Sequence, residues 1–176
     1  PGAGAAPSFY DRHVFFDNSL PEQACYQSQG MAVAPSMLEL VAGKLPVDAR
    51  HSVSPPNSLR LKWRSAPGGE WRVKLKSMAR YGRDLDFEGD AISFWCYSET
   101  ELSPDNAPRI DVQDRSNTGA GATPLLVGAE RLPAGKWVRV WLPFASLFSP
   151  LQPTHDRRFD PRQLADISIM QGLDDN

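Results

Sequence analysis

The sequence predicts an all-β chain, an antiparallel two-sheet β-sandwich with one or two short helical turns. Three observations carry that expectation. Sixteen prolines and thirteen glycines punctuate the chain at short intervals, which fits many short strands rather than long helices. Several segments alternate apolar and polar residues at a period of two, SLRLKW and EWRVKLK most clearly. No stretch sustains a helical period, and no internal repeat is visible.

The elements follow in order. His13–Asp17 reads as a first short strand, residues 18–36 as loop, and Met37–Val41 as a strand. Lys44–Asn57 reads as a connection ending in Ser-Pro-Pro-Asn. From Ser58 to Lys76 the pattern is strand–loop–strand. Leu59, Leu61 and Trp63 alternate with Arg60, Lys62 and Arg64; after a Ser-Ala-Pro-Gly-Gly turn, Trp71, Val73 and Leu75 alternate with Arg72, Lys74 and Lys76. Paired with each other, these strands would carry one apolar face and a ladder of six cations. Such a face is either solvated or a floor for an anionic or polyhydroxylated ligand.

Ala91–Ser98 is rich in β-formers and predicts a strand. Further strands are expected at Pro108–Gln113, Leu125–Val127, Trp137–Leu142 and Asp166–Met170, and helical turns at Pro143–Phe148 and Asp160–Leu164, the latter with Pro161 in its first turn. In Trp137–Leu142, Val138, Val140 and Leu142 share one face, and Trp137, Arg139 and Trp141 the other.

Composition narrows the function classes. The length suits one domain. A net charge of −2 makes the whole chain no electrostatic magnet for nucleic acid. No segment approaches the roughly 20 apolar residues of a membrane helix. Residues 1–12 open with PGAGAAPS and read as a flexible leader or linker remnant, leaving 13–176 as the sandwich domain. Cys25 and Cys96 could pair in an exported protein, but Cys96 lies among bulky apolar residues, where a buried free thiol is the commoner fate.

Catalytic signatures are lacking. There is no Gly-x-Ser-x-Gly elbow, and no Cys-x-x-Cys pair for zinc. His13, His51 and His155 lie in separate segments without ligand spacing. Asp84, Asp86, Glu88 and Asp90 resemble the start of a calcium loop but lack its closing glutamate, so a solvated turn is expected. Nothing nominates a carboxylate pair facing across a cleft. The expectation is therefore a non-enzyme. Its site is a polar-aromatic sheet face: if the strands around 60, 95, 111 and 139 are neighbours, the side away from the core gathers Arg60, Lys62, Trp95, Tyr97, Asp111, Gln113, Arg139 and Trp141. Rings suit the C–H faces of sugars, and charged or amide groups suit their hydroxyls. The competing expectation is that a loop or a neighbouring domain covers those rings.

PSMLELVAGKLPV, SPPNSLRLKWRSAPGGEW, FEGDAISFWCYSE, PRIDVQD, GKWVRVWLPFASL and ADISIMQGLDD, in that order, resemble galactose-binding-domain-like jelly rolls. The similarity is to non-catalytic carbohydrate-binding modules, in particular the one preceding glucoamylase-like catalytic domains of exported bacterial proteins. The resemblance implies a jelly roll that binds a polysaccharide or oligosaccharide, neutral or acidic, in a secreted or periplasmic protein. It implies a covalently linked catalytic domain as partner, and neither nucleic acid nor membrane. It also implies a structural calcium, with Asp17 and Asp174 or Asp175 placed to hold it. The closing strand that such domains carry after the GLDD turn is missing, so a chain cut from a longer protein is expected. The alternatives are a spacer of the same fold packed on a catalytic domain, and a jelly-roll lyase using Tyr81 with Arg80 and Arg83.

Overall fold

The computed structural model describes residues 15–16, 27–76, 86–126, 130–147 and 159–172. The strands are β1 (Gln27–Val33), β2 (Met37–Leu38), β3 (Val47–Asp48), β4 (Ser58–Leu59), β5 (Trp63–Arg64), β6 (Glu70–Lys76), β7 (Ala91–Tyr97), β8 (Arg109–Asp114), β9 (Thr123–Pro124), β10 (Trp137–Pro143) and β11 (Leu164–Met170). One helical turn, α1 (Phe144–Leu147), and one 3-10 turn (Pro161–Gln163) complete the described elements. The all-β expectation with short helical turns holds.

Five strands form one antiparallel sheet in the order β1-β6-β11-β8-β9, and β7 pairs with β10 in a separate two-stranded sheet. The core lies between them. Ile110 and Val112 of β8 and Leu164 and Ile167 of β11 pack with Ile92, Val140 and Leu142 of the two-stranded sheet. α1 closes this core with Phe144 and Leu147, which follow β10 without a loop. At the 3-10 turn the Asp160 carboxylate accepts the Arg162 backbone N–H at 3.0 Å, as an N-cap should. Side chains alternate along the strands, with one register shift in β11 between Leu164 and Asp166, and the sandwich has two distinct outer faces.

Pairing differs from the sequence expectation in the basic segment. Its two halves do not form a hairpin. β4 pairs with β3, β5 pairs with β2, and β6 lies between β1 and β11. The six cations therefore form no single ladder. The strand at β1 falls in a segment expected as loop, because QSQGMAV shows no apolar alternation. Gly30 sits at its centre for a reason: a Cβ there would meet Leu40 Cδ2 at 2.5 Å, and its N–H donates to Gly43 O at 3.0 Å. The strand expected at Leu125–Val127 lies earlier, at β9, and Leu125 and Leu126 are buried in the core instead.

Of the strand expected at His13–Asp17, only Phe15 and Phe16 are described, and they are not in a strand; Phe15 packs against the core. Cys96 is a free thiol on the inner side of β7, and burial pushes it up to about 11. Cys25 lies outside the described residues. No described helix is long and apolar enough to cross a membrane.

Candidate functional site

The outer face of the β7–β10 pair is aromatic. Its register sets Trp137 opposite Tyr97, Arg139 opposite Trp95, and Trp141 opposite Ser93. Val138, Val140, Leu142, Ile92, Phe94 and Cys96 take the inner positions. The aliphatic set fills the core, and the ring-bearing set is left outward. Trp95 and Trp141 are 51% and 56% exposed, far more than rings of this size usually are.

The rings form a row. Trp95 is diagonal to both Trp137 and Trp141, a spacing of about 7–8 Å between side-chain bases. From Trp137 to Trp141 the row runs roughly 14 Å along the strand. Tyr97 continues it: its ring centroid lies 5.5 Å from Trp137, and His51 stacks on it at 4.7 Å with an interplanar angle of 23°. Arg139 lies within the row. Its guanidinium sits 5.5 Å from the Trp141 ring centroid and Nη2 donates to Ser93 Oγ at 3.0 Å. Both contacts orient the cation along the face.

His51 reaches this face from the loop after β3. Asp48 shapes that loop by accepting the Arg50 backbone N–H at 2.7 Å and its guanidinium Nη2 at 3.2 Å. The Arg50 side chain, and then its backbone N–H, hold the Asp48 carboxyl below its ordinary value. His51 Nδ1 is 3.8 Å from the same carboxylate.

The eight residues expected on one face are divided among three places. Trp95, Tyr97, Arg139 and Trp141 come together as expected. Asp111 and Gln113 do not join them, because they alternate with the core residues Ile110 and Val112 in the other sheet. They point away from the opposite side of the sandwich, across a core about 10 Å thick. There Asp111 Oδ1 accepts the Gly121 N–H at 3.0 Å, and Gln113 Oε1 accepts the Lys74 ammonium at 2.6 Å. Burial raises the Asp111 carboxyl despite hydrogen bonds from Gly121 and Val112.

Arg60 and Lys62 lie in a third region, beside the β2–β5 and β3–β4 pairs. The Arg60 backbone N–H donates to Pro46 O at 2.9 Å, and Lys62 O accepts the Glu39 N–H at 2.9 Å. Both side chains face Glu39, Arg60 through a direct hydrogen bond and Lys62 at 3.9 Å. One carboxylate thus engages both cations. Strand pairing is a long-range property, so alternation around 60 and 111 said nothing about which sheet those strands would join.

Two members of the aromatic face were not among the expected ligand residues. Trp137 shares the parity of Trp141 and was legible from that alone. His51 arrives by a long-range loop contact and carried no local signal. Among the described residues no group of three or more His, Cys, Asp or Glu is placed to hold a metal ion. Asp17, Asp174 and Asp175 lie outside the described residues, as do Arg80, Tyr81 and Arg83.

No family model matches the chain. It is 30% identical over 109 residues, 62% of its length, to an exo β-1,2-glucooligosaccharide sophorohydrolase (non-reducing end) of Parabacteroides distasonis. The chain spans only 15% of that protein. Among solved structures it is similar to a β-1,2-glucanase from Parabacteroides distasonis, with a TM-score of 0.73 and 25% identity over 93% of this chain and 23% of that one. It is also similar to a family 11 carbohydrate-binding module from Clostridium thermocellum in complex with a β-1,3-1,4-mixed-linked tetrasaccharide. That match has a TM-score of 0.56 and 14% identity, and covers 91% of this chain and 85% of the module. The fold is that of a carbohydrate-binding-module β-sandwich.

Proposed function

We propose that this chain is a non-catalytic carbohydrate-binding module of an exported bacterial glycan-degrading protein, and that it binds a polysaccharide or oligosaccharide through the outer face of β7 and β10. The observation that carries this reading is the exposure of Trp95 and Trp141 in one row with Trp137 and Tyr97. Indole rings at half exposure lose apolar surface to water unless something flat covers them. A pyranose chain offers C–H faces to the rings and hydroxyls to Arg139. The named relative acts on β-1,2-glucooligosaccharides, and the family 11 module holds a β-1,3-1,4-linked tetrasaccharide; both support a glucan as ligand.

The domain runs from about residue 13 and belongs to a longer protein, whose remaining length carries the catalysis. That assignment rests on the small share of the sophorohydrolase that the chain spans. Its ancestry as the galactose-binding-like module preceding a catalytic domain is part of the same proposal.

A second reading has the same observation behind it. The exposed row is also what a spacer would turn toward a linked catalytic domain. Affinity electrophoresis of the domain in gels containing β-1,2-glucan, mixed-linked β-glucan or a uronic-acid polymer separates the two. Retardation by a glucan, lost in Trp141→Ala with an unchanged circular dichroism spectrum, supports the module. No retardation by any polymer, with the fold intact, overturns it in favour of the spacer.

A further inference from the structure

The other outer face also carries unused binding capacity. Its register forms a grid: Gln29, Lys74, Ser168 and Asp111 make one row across β1, β6, β11 and β8, and Gln27, Lys76, Asp166 and Gln113 make the next. The members on β6, β11 and β8 share the outward parity, since Val73, Ile167, Ile110 and Val112 alternate with them inside. A polar row on an outer face ordinarily faces water. Here the centre is sunken: Ser168 is 1% and Asp166 5% exposed.

The register explains the burial. β6 and β8 flank β11, so they stand roughly 10 Å apart. Lys74 Nζ nevertheless donates to Gln113 Oε1 at 2.6 Å, so the two side chains must meet above β11. They bridge the short side chains of Ser168 and Asp166. Lys74 Nζ also lies 3.5 Å from Asp166 Oδ2. Asp166 Oδ1 and Ser168 Oγ are buried and hydrogen-bond to no described group. Buried polar atoms in folded proteins are nearly always paired, so two adjacent unpaired ones on one face mark a place built to receive something.

We propose that this face is a second binding site, for a pyranose unit of a neutral glycan held by hydrogen bonds rather than by ring stacking, with the Lys74–Gln113 bridge as its movable cover. Asp111 and Asp166 accept from sugar hydroxyls, Lys74 and the Gln113 amide donate to them, and Ser168 does both. Within these two rows two carboxylates face two ammonium groups, so their charges balance, while Arg72 and Arg109 in the next row add positive charge at the margin of the site. Lys74 occupies the space beside Asp166 that a cation would take. Parting the bridge frees donors and acceptors together, the mixture that a polyol satisfies and a simple ion does not. The site stands apart from the aromatic row and does not depend on it.

Amide-resolved NMR titration of Trp141→Ala tests the proposal, with β-1,2-linked glucooligosaccharides and the β-1,3-1,4-mixed-linked tetrasaccharide as probes. The variant weakens the aromatic site and leaves this one. The expected result is saturable shifts at amides of β6, β8 and β11, with an affinity independent of any residual shifts on β7 and β10. Adding Ser168→Ala or Asp166→Asn, both nearly isosteric, then weakens that binding at least tenfold while the rest of the spectrum is unchanged. Absence of shifts on β6, β8 and β11, or binding that Ser168→Ala and Asp166→Asn leave intact, overturns the proposal. Either result reduces Ser168 and Asp166 to partners of ordered water.

Discussion

β6 and β10 look alike in sequence and are used in opposite ways. EWRVKLK and WVRVWLP each alternate a tryptophan-containing set with a second set. In β6 the second set is Arg72, Lys74 and Lys76, so Trp71 goes inward with Val73, and both are fully buried. In β10 the second set is Val138, Val140 and Leu142, which fill the core and leave Trp137, Arg139 and Trp141 outside. The parity of a strand is decided by its better apolar set, not by where its largest ring lies. A tryptophan sharing parity with an arginine is therefore the one to read as a surface ring.

Replacing each ring by alanine gives the sharpest test. Trp71 has no exposed surface, its Nε1 donates to Ser65 Oγ at 2.9 Å, and its ring centroid is 5.5 Å from that of Trp63. Trp71→Ala is expected to cost about 3–5 kcal/mol, read as a fall of roughly 10 °C in Tm for a chain of this length. Trp141→Ala is expected to change stability by no more than about 0.5 kcal/mol and to weaken glucan binding at least tenfold, about 1.4 kcal/mol. Similar losses of stability in the two variants would break the comparison.

A smaller contrast lies among the carboxylates of β8 and β11. Asp114 is buried and accepts the Ser116 hydroxyl at 2.6 Å and the backbone N–H groups of Ser116, Thr118 and Asp160 at 2.9, 3.0 and 3.1 Å. Burial alone would raise its carboxyl, but these hydrogen bonds outweigh it and leave it lowered. A carboxyl lowered on folding adds stability above its unfolded value, near 3.8, and that stability is lost as pH falls through the folded value. Asp111 and Asp166 are shifted the other way, first by burial. Their ionisation opposes folding, so acidification from neutrality toward the ordinary carboxylate range should remove that penalty. Asp114→Asn is expected to lower stability at pH 7 by about 2–3 kcal/mol and to flatten the loss below pH 4. Asp166→Asn should instead flatten the gain between neutrality and pH 4. Chemical denaturation across pH 3–7 reads both.

The strands that position the aromatic row were legible because each carries its own alternation: β7 and β10 lie within a residue of their expected bounds, and the outward parity of Arg139 and Trp141 followed from Val138, Val140 and Leu142. Pairing was not legible. The sequence around Asp111 has the same form as that around Trp95, and only the register shows that the two strands belong to different sheets. β1 was hidden by a glycine whose role depends on Leu40, and His51 by a loop whose path depends on Asp48. In each case the deciding contact is distant along the chain or lies in a turn rather than in a periodic run.

The smallest expected effect is at Arg139, and it decides what the aromatic row binds. The guanidinium is held by Ser93 and by the Trp141 ring, contacts worth about 0.5–1 kcal/mol on an exposed face. Arg139→Ala should therefore leave Tm within about 2 °C. Against a neutral glucan Arg139 contributes ordinary hydrogen bonds to hydroxyls, and its loss should weaken binding only several-fold, about 1 kcal/mol. Against a uronic-acid polymer it would fork onto a carboxylate, a charge-assisted bond roughly twice as strong, and its loss should cost tenfold or more. Arg139→Lys separates the two further. It keeps the charge but cannot fork, so it should restore most of the binding to a neutral glucan and little of the binding to an acidic one. Nη2 already donates to Ser93 Oγ, the remaining donors are the ones a ligand would use, and the glucan reading proposed above expects the neutral outcome.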